Sequence, residues 1–117
     1  MIKIDKFLKS VPFAIEGVKT LFKSENNAKI HLLAVFVVIV TGFLTHFSEA
    51  EWLAVIIVMG GVLALEAVNT ALETLVDLVS PEFHPLAKKV KDVAAGAVLI
   101  FVFAALAVAG VILYYHF

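Results

Sequence analysis

Glu66, Asn69, Thr70, Glu73 and Asp77 interrupt an otherwise apolar run, Leu63-Ala-Leu-Glu-Ala-Val-Asn-Thr-Ala-Leu-Glu-Thr-Leu-Val-Asp77. The steps between them are three and four residues, so a helix puts them on one face. At bilayer depth an ionised side chain costs at least ~2.5–3.5 kcal/mol. A stripe with three carboxyls must therefore face protein, water or a cation. A helix–helix contact would account for Asn69 and Thr70, but one or two polar residues suffice for that. Glu66 and Glu73 together point to a chemical site. Asp77, nearest the end of the run, is equally well explained by solvation.

Two polar clusters adjoin this stripe: Glu25-Asn-Asn-Ala-Lys-Ile-His31, and Ser80-Pro-Glu-Phe-His-Pro-Leu-Ala-Lys-Lys-Val-Lys-Asp92. Carboxylates at a membrane boundary, Glu25 and Glu73, suit a hard cation such as Mg²⁺, which takes one or two carboxylates and keeps several waters. Lysine and histidine in the neighbouring segments can neutralise phosphate oxygens. Phosphate and Mg²⁺ beside a carboxylate inside the bilayer suggest phosphoryl transfer to a lipid headgroup. No soluble nucleotide motif is present: neither G-x-x-x-x-G-K-[ST] nor G-x-G-x-x-G occurs. Gly60-Gly61 falls mid-run and reads as a close-packing site. His46 and His116 stand alone and receive no role, and Phe36, Phe43, Phe47, Phe101 and Phe103 read as lipid-facing bulk.

The elements that must position these groups follow from composition. Of 117 residues 62% are apolar and 16% charged, against roughly 45–50% and about 25% in soluble domains. A chain this short has too much surface to hide that excess in water. Soluble enzymes and DNA-binding modules are thereby excluded, and a net charge of −1 attracts no nucleic acid. There is no cysteine, so disulfide scaffolds and thiolate sites are excluded too. Residues 30–47, 52–79 and 93–115 are each near or above the ~18–20 residues that cross a bilayer as a helix. All nine basic residues are lysines, placed before residue 30 or between 88 and 91. The positive-inside bias puts the N-terminus and the 80–92 loop in the cytoplasm, with Ser48–Glu51 outside. Trp52, Tyr114 and Tyr115 fall at the outer boundary. In residues 1–29, Ile4, Phe7, Leu8, Val11, Ile15, Val18 and Leu21 recur at helical spacing opposite a lysine-rich face. This predicts an amphipathic helix on the membrane surface, kinked at Pro12. The whole chain reads as one all-α integral membrane domain.

The stretch Glu66-Ala-Val-Asn69-Thr-Ala-Leu-Glu73-Thr-Leu-Val-Asp77, followed by Lys91-Asp92-Val-Ala-Ala-Gly-Ala-Val-Leu, resembles the prokaryotic diacylglycerol kinase family, and the likeness covers nearly the whole chain. Glu25-to-His31 and Ser80-to-Pro85 are similar to its Gram-positive branch, many of whose members phosphorylate undecaprenol. The resemblance implies a homotrimer in the bacterial cytoplasmic membrane with sites shared between subunits. It implies Glu66 as the proton acceptor, and Glu25 and Glu73 as the carboxylates holding Mg²⁺ on ATP. Lys6, Phe13, Glu82, Phe83, His84, Lys91 and Asp92 fall at nucleotide-contacting positions. Lys6 and Phe13 stand where the enterobacterial type has Arg and Tyr. Asn69, His31 and Ala95 join Glu66 on the lipid side, and His31 replaces an acidic residue of that type. Undecaprenol is the favoured acceptor and diacylglycerol the second.

A proton- or cation-coupled transporter subunit is the alternative reading of the stripe. A relay should continue across the membrane, yet Leu53 to Leu65 contains no ionisable group, which favours a one-sided site. A purely structural membrane protein would lack ATP turnover.

Overall fold

A computed structural model describes all residues 1–117 as four helices: α1 (Ile4–Ser24), α2 (Asn26–Thr45), α3 (Glu49–Val79) and α4 (Pro85–His116). The last three are each long and apolar enough to cross a membrane.

A single residue, Glu25, separates α1 from α2. Its backbone is extended (φ −103°, ψ 116°), yet its N–H still donates to Leu21 O at 3.0 Å and its own carbonyl accepts from Lys29 N at 3.3 Å. It thus ends one helix and begins the next, and its carboxylate stands at a corner. Helix α1 runs through Pro12 as one element, with only Leu21 buried.

The outer turn is built from local chemistry. His46 closes α2 in a left-handed conformation (φ 57°), and Phe47 N–H reaches back to Gly42 O at 3.0 Å. Ser48 and Glu51 then form a capping box: Glu51 N–H donates to Ser48 Oγ at 3.2 Å, and Ser48 N–H to Glu51 Oε1 at 2.8 Å. His116, isolated in the sequence, sits 2.8 Å from a Glu51 carboxylate oxygen and so ties the end of α4 to the start of α3.

Helix α3 has 31 residues and rises about 46 Å, well beyond a ~30 Å hydrocarbon core. Helix α4 begins at Pro85, so the expected 80–92 loop shrinks to a five-residue turn, Ser80–His84. The cause is local. Proline at the first helical position needs no hydrogen-bond partner, and His84 Nδ1 accepts from Leu86 N–H at 3.1 Å. The lysines thereby stand on a helix. Lys88 pairs with Asp92 at 2.6 Å, and Lys91 reaches across to Asp77 at 2.5 Å.

Helix α4 packs most extensively on α3, and α2 packs on α3 from another side. Gly61 lies against the ring of Phe101, and Gly42 against Trp52. The close-packing expectation therefore holds for Gly61, while Gly60 faces open space. Phe43 and Phe47 hold Trp52 at 5.0 and 5.3 Å between ring centres. Phe47 and Phe101 thus pack within the protein rather than serving only as lipid-facing bulk. Nine of 117 residues are buried. The remaining apolar surface is suited to lipid or to further copies of the chain, as a membrane protein requires.

Candidate active site

The chain gathers its buried polar groups where α2 leaves the Glu25 corner and passes α3. Glu66 and Asn69 are the buried polar or charged residues of the whole structure, at 2% and 7% exposure. Glu66 is reached from α2 by His31, whose Nε2 lies 3.6 Å from Glu66 Oε2. One turn along α3, Asn69 Nδ2 donates to Glu73 Oε1 at 3.2 Å. A carboxylate only accepts, so the amide must turn its nitrogen toward Glu73 and leave its oxygen free. That oxygen, Asn69 Oδ1, is buried without a partner, as is Thr70 Oγ1. Buried polar atoms are ordinarily paired, and each orphan costs about 1–3 kcal/mol. Glu25 and Glu73 stand within electrostatic reach of Glu66. Glu25, His31, Glu66, Asn69 and Glu73 therefore form one cluster, half-buried at its edges and buried at Glu66 and Asn69.

A cation held by Glu25 and Glu73 would meet carboxylate oxygens, which suits a hard divalent metal. The chain has no group of three or more His, Cys, Asp or Glu side chains arranged to hold a metal by themselves. Two carboxylates with the rest of the shell supplied by phosphate and water is the way Mg²⁺ is usually bound. The residues present fit a cation that arrives with a nucleotide.

The other expected residues are arranged differently. Lys91 and Asp92 are engaged with Asp77 and Lys88. His84 caps α4 through Nδ1, which leaves Nε2 as the donor end. Phe83 projects from the α3–α4 turn at 80% exposure. Glu82 is exposed beside it, its carbonyl accepting from Ser80 Oγ at 3.1 Å. Lys6 and Phe13 lie exposed on α1, and Ala95 lies exposed on α4. None of these makes a hydrogen bond or ion pair with the Glu66 cluster. The pairing of His31 with Glu66 and the orphaned Thr70 hydroxyl left no mark in residue spacing. The first arises from how α2 crosses α3, while Thr70 lines the α1–α3 face with Gly17 and Leu21.

Three membrane-crossing helices around one buried carboxylate, with every lysine toward one end of the bundle, suit a membrane-embedded enzyme with a one-sided site. Residues 12–113 match the model of a family described as prokaryotic diacylglycerol kinase. An undecaprenol kinase of Bacillus subtilis is 40% identical over 85% of this chain and 80% of its own length. A diacylglycerol kinase of Synechocystis is 39% identical over 91% of this chain and 61% of its own length. A diacylglycerol kinase of Helicobacter pylori is 33% identical over 81% of this chain and 74% of its own length. The chain belongs to the prokaryotic diacylglycerol kinase family. It is a membrane lipid kinase, transferring phosphate from ATP to a lipid; nothing among these relatives speaks for a transporter.

Proposed function

We propose that this chain transfers the γ-phosphate of ATP to the hydroxyl of undecaprenol, with Glu66 as the general base. The observation that carries the reading is Glu66 itself: an ionisable group 2% exposed on an apolar helix, touched by His31 and flanked by the Asn69–Glu73 hydrogen bond.

In this reading the lipid hydroxyl enters from the bilayer and meets a carboxylate oxygen of Glu66, which takes its proton. The lipid oxygen attacks the γ-phosphorus as the bond to the β-phosphate oxygen breaks, and ADP leaves with that electron pair. Transfer of this kind depends mainly on positioning and charge neutralisation. Glu25 and Glu73 would hold Mg²⁺, which supplies neutralisation of the phosphate charge when bound. Asn69 orients Glu73 through its amide nitrogen and offers its free oxygen to a donor on either substrate. Glu82, Phe83, His84, Lys91 and Asp92 are the nucleotide side of the same site, with Lys6 and Phe13 approaching from α1. His31 and Ala95 lie on the lipid side.

The 40% identical undecaprenol kinase supports the choice of acceptor. Diacylglycerol is the second reading, supported by the diacylglycerol kinases at 39% and 33% identity. The nucleotide-side residues make no contact with the Glu66 cluster within one chain, which supports a homotrimer with shared sites. The lysine distribution supports a cytoplasmic N-terminus in a bacterial cytoplasmic membrane, with α1 lying on its surface. Purified protein given ATP, Mg²⁺ and both lipids in competition tests the acceptor. Preferential labelling of undecaprenol supports the first reading, and preferential labelling of diacylglycerol replaces it with the second.

A further inference from the structure

Two apolar cavities lie between α2, α3 and α4, of about 190 Å³ and 240 Å³. They are continuous: Val38, Met59, Ala105 and Ala109 line both. The inner cavity opens at His31, one of the five residues of the Glu66 cluster, and is otherwise lined almost wholly by hydrocarbon. The outer cavity runs past Thr41 and ends against Phe47. Phe47 is itself fixed by Trp52 at 5.3 Å and by His116 at 5.6 Å between ring centres. From His31 to Thr41 along α2 the groove extends about 15 Å, so it leads from the polar cluster deep into the hydrocarbon layer.

A groove with this layout has a polar mouth and an apolar far end. Its mouth lies beside the carboxylate that receives the acceptor's hydroxyl, so the part of the acceptor that must follow is its hydrocarbon. We infer that the α2–α3–α4 groove holds the tail of the lipid acceptor, and that Val38, Met59, Ala105 and Ala109 select for chain shape. The two cavities lie in file rather than side by side, so they take one chain. The second chain of a diacylglycerol would remain in the bilayer, whereas a polyprenol alcohol places the first isoprene units of its only chain inside and leaves the rest in the bilayer. His31, at the mouth, is the boundary between the reacting headgroup and the tail. The inference rests on Glu66 being on the acceptor side of the reaction.

The test uses the full chain in lipid nanodiscs with ATP, Mg²⁺ and a polyprenol carrying a photoreactive diazirine on the second or third isoprene unit from its hydroxyl. Crosslinking in the wild type is expected on the α3 segment around Met59 and the α4 segment around Ala105. Labels confined to other faces, in protein that phosphorylates the same lipid, overturn the groove and leave the lipid kinase intact. Wild type that fails to phosphorylate the polyprenol at all overturns the acceptor reading and the groove together. Ala109→Phe fills the groove where both cavities meet. It is expected to raise KM for undecaprenol about tenfold more than KM for geraniol, whose short chain stays near the mouth. Ala104→Phe, exposed and outside both cavities, is expected to leave that ratio unchanged. Equal changes for long and short alcohols in Ala109→Phe count against the tail site.

Discussion

Glu66 is tolerable inside an apolar helix because its neighbours are arranged to answer its charge. His31 approaches it from α2, and Asn69, one turn along the same face, is held by Glu73 a turn further on. A structural polar contact would need the hydrogen-bonding capacity of this side chain and not its ability to take a proton. Glu66→Gln separates the two, since glutamine keeps shape and hydrogen bonding but cannot act as a base. Turnover of ATP with lipid is expected to fall by about two to four orders of magnitude, while the protein elutes from detergent at the same size. Near-normal kcat would remove Glu66 from the reaction. Glu73→Gln acts on the other substrate. It removes the charge that accepts from Asn69 Nδ2, and it is expected to raise both the Mg²⁺ requirement and KM for ATP with a smaller effect on KM for the lipid. An unchanged Mg²⁺ titration curve would assign Glu73 to packing alone.

At the scale of elements, the reach of α3 decides where chemistry sits. The helix overhangs a hydrocarbon core, and its polar stripe occupies only the half beyond Leu65, so close packing and the proposed chemistry use different stretches of one rod. The packing half depends on Gly61, where a Cβ would run into the Phe101 ring. Gly61→Ala is expected to destabilise the protein by about 1–3 kcal/mol through overpacking, read as a lowered Tm in detergent, and Phe101→Leu is expected to restore most of it. A full effect of Gly61→Ala that persists beside Phe101→Leu would show the ring is not what it meets. The three spans were legible because an apolar run of that length is the natural match to a bilayer core and exceeds what a soluble core of this size can bury. The start of α4 was hidden, because a segment with three lysines and a proline resembles a loop when judged by polarity. The His84 cap, the Lys88–Asp92 pair and the cross-helix Lys91–Asp77 pair mark it as helix. Within the site, Asn69 and Glu73 were legible as members of one helical face, and their hydrogen bond follows from that spacing. His31–Glu66 and Glu51–His116 join residues on different helices, and no local spacing encodes such contacts.

For the whole molecule the governing fact is asymmetry of charge across the bilayer. Glu25, Glu73 and every lysine lie toward one end of the bundle, and the Ser48–Glu51 turn with its His116 partner lies at the other. In the proposed reading the nucleotide comes from the cytoplasm and binds at the lysine end, so the reaction requires that end to face inward. The chain contains no cysteine, which makes each introduced thiol a unique reporter. Glu49→Cys, exposed at the start of α3, is expected to react with a membrane-impermeant maleimide in intact cells. Lys89→Cys, exposed near the start of α4, is expected to react only after the membrane is opened. Both positions avoid the ion pairs of Lys88 and Lys91, so the label reads sidedness without disturbing α3–α4 packing. The reverse pattern would put the Glu66 cluster on the side that ATP does not reach, and the same geometry would then have no phosphoryl donor to act on.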